Sequence, residues 1–533
     1  MGRRTLLGAA RRSASAEDER WRRRRWTVGL ATLPSAIGIA FIRARPDALN
    51  ATHDGGFFET IVDNLRRHTS LTAPVDHTWL VASPLEVWRQ LPRVPVPDVG
   101  PIYPVLVAVV PLPIERAMWV VALVSLLAAL VAVGLLVARA THSAFAGLVT
   151  QLLLVAGPSQ PTSVFRRHNI QSIAAAQSYD VLAVALLLVG LVVFAGRRDH
   201  RGLAVSSGLM TAAALTRYAL VAAPAAIAVV ALARRHRQRD VATAAGVAVA
   251  LALLWQFVLA PALIGSAGPK SLGWHPGSLR PVMELVLGWF ALGALADHLV
   301  VGLVLCVALV AGVIAVVVTR PPGSAAHLLA ATALGLTAVV LAGKTILVAD
   351  LIANDERHFL PVRASITALA VIEGAAALRA VTQRIPGARG PLVRAGAVAS
   401  ILVLGVVVLG TRPWLEADVP RTAQTPEAVR TALSSYPDAI ILSNRPFQLY
   451  LDLGVSSLDL LRETEASTGE ERDLARELDE LSSAADVAVE VHLTSGAPGA
   501  TSMVGLACPE LLDWLTVEQT WVIAFDISSC STT

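Results

Sequence analysis

Between residues 27 and 411 the chain is a succession of apolar stretches nearly free of charge, separated by short runs rich in arginine. A stretch of about 20 such residues spans the hydrocarbon of a bilayer as a helix, and short of a closed barrel nothing else satisfies its backbone amides there. The pattern therefore predicts a polytopic α-helical membrane bundle. Windows of this kind fall near 27–43, 115–138, 144–157, 177–196, 202–216, 218–233, 241–263, 296–319, 325–343, 359–378 and 395–411, which gives about eleven transmembrane helices. With 54% hydrophobic residues, 16% charged and a mean hydropathy of +0.60, the composition excludes an ordinary soluble enzyme. The formal charge of +4 reflects arginines at the ends of spans and not a nucleic-acid surface.

The arginines also set an orientation. Arg3-Arg4, Arg11-Arg12 and Arg22 to Arg25 precede the first apolar segment, which lacks a small-residue cleavage site and continues to helix length. Residues 1–26 are therefore expected as a basic cytoplasmic N-terminus before an uncleaved anchor. Alternate loops then carry Arg139, the cluster 197–201, the cluster 234–239, Arg320, and Arg379, Arg384, Arg389 and Arg394, all on the cytoplasmic side by the positive-inside rule. A single long span through Thr216-Arg217-Tyr218 would put the clusters 197–201 and 234–239 on opposite faces. A hairpin of two short helices avoids this and holds Arg217 below the outer surface.

An odd number of spans leaves 412–533 extracytoplasmic. This tail turns polar and acidic, with strand-like runs at 439–442, 487–491 and 521–524 and an acidic helical pattern over 469–481. It is expected as a small α/β domain, and the membrane domain as 27–411. Cys306 falls in an apolar stretch, while Cys508 and Cys530 could form one disulfide in an oxidising compartment.

The first outer loop, 44–114, is long for a connection and holds much of the polar chemistry. Asp54 follows His53 and precedes Gly55-Gly56 and Phe57-Phe58, so it begins an amphipathic helix; the structural alternative is a helix N-cap. Glu59, Asp98 and Tyr103 belong to the same loop, and Val105 to Leu112 is too short to span and reads as a helix lying on the outer surface. Arg166-Arg167-His168 lie in the second outer loop, and Lys344, Asp355, Glu356, Arg357 and His358 in the fifth. Acids and cations on one side of the bundle suit a carboxylate acting as base on a hydroxyl while cations hold a phosphate. Each charge taken singly also fits a solvated surface. No spacing of His, Cys, Asp or Glu resembles a metal-ligand set, and no cofactor is expected.

Four segments together carry a family resemblance: the acid-bearing first loop, Gly100-Pro101-Ile102-Tyr103-Pro104-Val105-Leu106, the Leu215-Thr216-Arg217-Tyr218 hairpin, and Glu356-Arg357-His358-Phe359-Leu360-Pro361. Their order resembles the GT-C glycosyltransferases, and more closely the bacterial members related to protein O-mannosyltransferases and to lipid A aminoarabinose transferase. Leu442-Ser443-Asn444-Arg445-Pro446 and Leu449-Tyr450-Leu451 resemble the extracytoplasmic domain of actinobacterial and other bacterial relatives. The resemblance implies a plasma-membrane enzyme that moves a sugar from a polyprenyl-phosphate donor to an envelope glycan, lipid or protein acceptor, with inversion. It implies Asp54 as the base and Asp180 as a second acid. Arg217 and Arg357 match cationic positions of relatives, Lys344 stands where it could meet the lipid phosphate, and His358, Arg166 and Arg167 join them. Here Gly55-Gly56 stands between the first-loop acid and the aromatic residues that relatives carry closer to it.

Two other classes fit a multi-span chain. A transporter or flippase would show repeated halves and buried ionisable groups, whereas no repeat is seen and Glu373 is the acid placed inside a span. A non-catalytic assembly factor that binds a partner through its tail would be indifferent to loss of Asp54.

Overall fold

The computed structural model describes residues 30–39, 41, 53–74, 84–91, 93–96, 99–155, 179–196, 199–233, 239–264, 279–288, 298–321, 323–346, 359–384, 425–459, 479–493, 511–517 and 520–527. A first apolar helix, α1 (Leu30–Ile39), leads into the expected loop, which is itself folded. It holds α2 (His53–His68), β1 (Thr72–Ala73), α3 (Pro84–Gln90), β2 (Val94–Pro95) and α4 (Ile102–Val109). The two strands form a short antiparallel ribbon. α4 lies where the surface helix was expected; it buries Tyr103, Pro104 and Val107 and exposes Val105, Leu106 and Val109.

The bundle continues with α5 (Ile114–Thr141), α6 (Ala144–Val155), α7 (Tyr179–Gly196), α8 (His200–Thr216), a 3-10 turn at Tyr218–Val221, and α9 (Ala222–Ala233). Then come α10 (Arg239–Leu263), α11 (Leu279–Gly288), α12 (Leu299–Thr319), α13 (Ala325–Ile346) and α14 (Leu360–Arg384). Among the described residues six helices are long and apolar enough to cross a membrane: α5, α7, α10, α12, α13 and α14. Three of the expected spans are shorter apolar helices, at Leu30–Ile39, Ala144–Val155 and Tyr218–Ala233, and α8 has 17 residues with a polar stripe. Apolar windows alone do not measure helix length: a 12-residue helix rises only about 18 Å, well short of a ~30 Å hydrocarbon core. The eleventh expected span, 395–411, lies outside the described residues, and α11 falls in what was expected as a loop.

α5, α7 and α13 are the interior helices; α10 and α12 expose rows of Val, Leu and Phe such as Val247, Phe257, Val300 and Val304, a surface that lipid would cover. Interior contacts use polar side chains as bridges between helices. Gln151 Nε2 donates to the Leu30 and Leu130 carbonyls, 3.0 Å each, joining α6 to α1 and α5, and Ser206 Oγ donates to the Gly190 carbonyl at 2.8 Å. Glu373, expected inside a span, accepts from Arg320 Nε at 2.8 Å and so ties α14 to the end of α12.

In the tail, α15 (Glu427–Ser434), β3 (Ile440–Ser443), α16 (Pro446–Leu453), β4 (Leu458–Asp459), β5 (Val487–His492), β6 (Leu511–Val517) and β7 (Thr520–Asp526) build a five-stranded sheet of order β4-β3-β5-β7-β6. β3 is parallel to β4 and β5, and β7 is antiparallel to β5 and β6. The three strand-like runs of the sequence become β3, β5 and β7; β4 and β6, with α15 and α16, were not foreseen. Period-two alternation sends Ile441, Val489 and Val491 to one face, under α15 and α16, and Ile440, Leu442 and Ala488 to the other. The second face is covered by Val87, Leu85 and Trp88 of α3, so the first loop supplies part of the sheet's core. Cys306 is a free thiol on α12, while Cys508 and Cys530, and hence the expected disulfide, lie outside the described residues.

The first loop is locked to the bundle at Gly100, where a Cβ would sit 2.2 Å from the Leu215 carbonyl oxygen and 2.5 Å from that of Thr216. Gly100→Ala is therefore expected to lower stability by about 1–3 kcal/mol. Gly208→Ala on α8, which meets nothing within 4 Å, is expected to be neutral or to add up to about 1 kcal/mol. Thermal melts of the two purified variants check the pair.

Candidate active site

α2 positions the site. Its apolar residues Phe57, Phe58, Ile61 and Val62 recur at helical spacing and are all buried, facing Tyr103, Ala117, Met118, Val121 and Leu182. Phe58 packs edge-on to Tyr103, ring centroids 5.1 Å apart, and against Tyr179 at 4.9 Å. On the other side of α2, Phe57 meets Phe447 of the tail at 5.6 Å. Arg66 fixes the far end of the helix: its guanidinium donates to the carbonyls of Val107, Ala108, Val110 and Leu112 at 2.8 to 3.2 Å. These carbonyls lie in and just beyond the last turn of α4, where helical acceptors run out of amide partners.

Behind Phe58, Asp180 opens α7 and forms an ion pair with Arg217. Asp180 is buried, and the guanidinium lies 5.8 Å from the centre of the Tyr179 ring. Arg217 sits at the break between α8 and the 3-10 turn, in extended backbone (φ −145°, ψ 109°). A pair so buried depends on both members, since removal of one leaves an uncompensated charge at a cost of about 3–5 kcal/mol. The break is held from two sides. Gly100 lies against the last carbonyls of α8, and Tyr218 accepts from Trp255 Nε1 at 3.1 Å, its hydroxyl 3.5 Å from the Val99 carbonyl. Trp255 starts a π-helical turn, Trp255–Leu259, inside α10.

Three sequence-expected residues, Asp180, Arg217 and Tyr103, thus meet around Phe58 and Tyr179. Asp54 occupies the first turn of α2, one turn before Phe58 on the same face; its side chain is outside the described residues. Lys344 lies in the last turn of α13, nine residues and about 14 Å of helix beyond Gly335, which packs on the Ala222 carbonyl; its side chain too is outside the described residues. Arg357, His358, Arg166, Arg167 and Asp98 lie wholly outside them. The neighbour of His358, Phe359, is buried against Val282, Leu285 and Val340, so the start of α14 and the end of α13 are held together.

Glu59 is not an exposed loop acid. It is buried immediately after Phe58, and desolvation, followed by the nearby Glu115, Asp63 and Asp452, pushes its carboxyl up to about 8. Burial and then the Glu59 charge push the Tyr103 phenol above its ordinary range. The tail reaches this region with residues that the sequence reading gave no role. Tyr450 donates to Asp63 Oδ2 at 3.3 Å, Asp452 accepts from the Thr425 amide and hydroxyl at 2.8 Å, and burial lowers the Arg445 guanidinium one residue before Pro446-Phe447. Their signal was the Arg445 to Leu451 segment itself, whose aromatic residues are spaced to face one side of a helix. Among the described residues no group of three or more His, Cys, Asp or Glu could hold a metal.

Neither a protein-family model nor a curated protein matches the chain. Among solved structures it is similar to ArnT from Cupriavidus metallidurans bound to undecaprenyl phosphate, with 16% identity, 95% of this chain and 99% of that chain covered, and a TM-score of 0.49. For the same protein in the apo state the values are 17%, 95%, 100% and 0.48. Likeness of this degree leaves the functional reading to rest on the side chains themselves.

Because the Glu59 carboxyl is raised in the folded protein, the folded state holds a proton that the unfolded chain releases. Stability from this group is fully present below its unfolded value, near 4.5, and is lost as pH rises through about 8. Glu59→Gln is expected to flatten that fall, by a few kcal/mol across the window; melting curves of both proteins from acid to mildly alkaline pH measure it.

Proposed function

We propose that this chain is a GT-C type membrane glycosyltransferase that moves a sugar from a polyprenyl-phosphate donor to a hydroxyl acceptor, with inversion at the anomeric carbon. The observation that carries this reading is the buried Asp180–Arg217 pair under Tyr179 and Phe58, at the end of the bundle where α2 begins one turn earlier with Asp54. A lipid donor stays in the bilayer while its phosphate and sugar reach headgroup depth, and that requires a preorganised cation beside apolar helices. Cations at helix ends avoid the roughly 2.5–3.5 kcal/mol of a charge at mid-membrane.

In this reading the acceptor hydroxyl attacks the anomeric carbon opposite the phosphate. Asp54 takes the hydroxyl proton, the bond from carbon to phosphate oxygen breaks, and polyprenyl phosphate leaves. Arg217 meets the charge that develops on the phosphate, with Lys344, Arg357, His358, Arg166 and Arg167 as its partners. Asp180 holds Arg217 in position and carries no proton of the reaction. Glu59 and Tyr103 shape the acceptor side, where a buried neutral carboxyl serves as a hydrogen-bond donor, and Asp98 belongs to the same loop. The acceptor is an extracytoplasmic envelope glycan, lipid or protein. The arginine distribution supports a cytoplasmic N-terminus and an extracytoplasmic tail; an impermeant thiol reagent should label a cysteine introduced at position 470 in intact cells.

Incubation of the purified protein in lipid with radiolabelled polyprenyl-phosphate sugars tests the reaction; no consumption of any such donor, with acceptor extract present, would sink it. Asp54→Asn keeps size and capping capacity but removes basicity. Transfer should fall about 100-fold or more, while folding and donor binding persist. An N-cap alone predicts near-silence, since Asn caps as well as Asp.

A further inference from the structure

A cleft of about 540 Å³ opens where α2, α3 and the tail meet, lined among others by Asn64, His68, Trp88, Tyr450 and Ser456. Its volume falls in the range of small-molecule sites, roughly 300–1,000 Å³. Its walls come from three segments, two in the first loop and one in the tail. Asn64 and His68 lie in the last two turns of α2, Trp88 on α3, and Tyr450 and Ser456 on and just after α16. The geometry is held independently of any occupant. Asn64 Nδ2 donates to the Thr72 carbonyl at 3.2 Å and to its hydroxyl at 3.1 Å, Tyr450 is anchored to Asp63, and Trp88 is seated on the sheet face. Gly454, in left-handed backbone at φ +71°, ends α16 and turns the chain so that Ser456 closes the opposite wall.

The lining selects a chemistry. Among the described residues its lining holds no carboxylate, lysine or arginine, which disfavours phosphate, anionic headgroups and charged peptides. It combines two aromatic rings with polar tips, an amide and a hydroxyl, and leaves little continuous apolar surface for an acyl chain. Apolar ring faces beside scattered hydrogen-bonding groups match the C–H faces and hydroxyls of a neutral sugar. The position selects a length. Ten residues of α2 separate Asn64 from Asp54, about 15 Å along the helix. A short oligosaccharide has the length to cover that distance.

We propose that this cleft is a subsite for a neutral oligosaccharide, the acceptor's remote end, which makes the acceptor of the reaction above a glycan; the second half of this statement rests on the transferase reading, the first does not. The full chain in lipid nanodiscs is tested for binding to an array of short neutral hexose and pentose oligosaccharides, beside uronic-acid counterparts. Binding of at least one neutral oligosaccharide is expected, weakened about tenfold in Trp88→Ala and in Ser456→Trp. The first variant removes a ring; the second fills the cleft from the other wall and leaves the sheet face intact, so a folding defect in one does not decide the outcome. The proposal is overturned by a wild-type protein that binds no neutral oligosaccharide, or by binding that both folded variants retain in full. Polyprenyl-phosphate binding measured on the same samples separates the two readings. Lipid binding without saccharide binding overturns the cleft alone; saccharide binding lost in Ser456→Trp, without lipid binding in the wild type, sustains the cleft and removes the donor.

Discussion

The aromatic seam along α2 is the interaction on which the arrangement depends. Phe57 and Phe58 are adjacent in sequence but diverge on the helix, one toward Phe447 of the tail and the other toward Tyr103 and Tyr179 at the bundle. α2 thereby joins the tail to the bundle, alongside α3, which covers the other face of the tail's sheet. Burial of such large side chains contributes roughly 1.5–3 kcal/mol each. Without that seam neither the start of α2 nor the tail would have a fixed height above Asp180 and Arg217.

The polar contacts around the seam follow from it. Once Phe58 covers Tyr179, the Asp180–Arg217 pair is shut away from water, and each charge becomes a condition for keeping the other. Glu59 is buried on the same helix, and desolvation, then the neighbouring Glu115, Asp63 and Asp452, raise its carboxyl to about 8. Arg66, by contrast, remains near the surface and donates to carbonyls of the turn that follows α4. Glu59 and Arg66, seven residues apart on one helix, thus take different fates, decided by how far the apolar face of α2 carries each from solvent.

Much of this was legible in the sequence, because charge inside an apolar run is a strong signal. Asp180 and Arg217 stood out as polar residues at the edges of helices, and the Thr216-Arg217-Tyr218 break is where the structure interrupts α8. The surface helix after Tyr103 and the strands at 440, 487 and 520 were equally readable from apolar spacing. What stayed hidden was tertiary. A one-dimensional window cannot tell a 12-residue apolar helix from a crossing one, nor can it see that α3 belongs to a sheet built from residues more than three hundred positions later. Glu59 reads as a loop acid because an amphipathic helix is expected to bury one face, whereas α2 is covered on two flanks, by the bundle and by the tail.

The sharing of one core by α3 and the tail's sheet also bears on how the protein is made. Val87, Trp88 and Val94 leave the ribosome long before the strands they will cover, with roughly 350 residues between Val94 and Ile440. At about 5–20 residues per second that delay amounts to some 20 to 70 seconds. Throughout that interval the first loop presents an indole and several aliphatic side chains with no native partner, while the helices between are still being inserted. The last-synthesised part of the chain is therefore what completes the first, and a truncation or stall anywhere before β3 leaves an early, sticky surface for chaperones to shield.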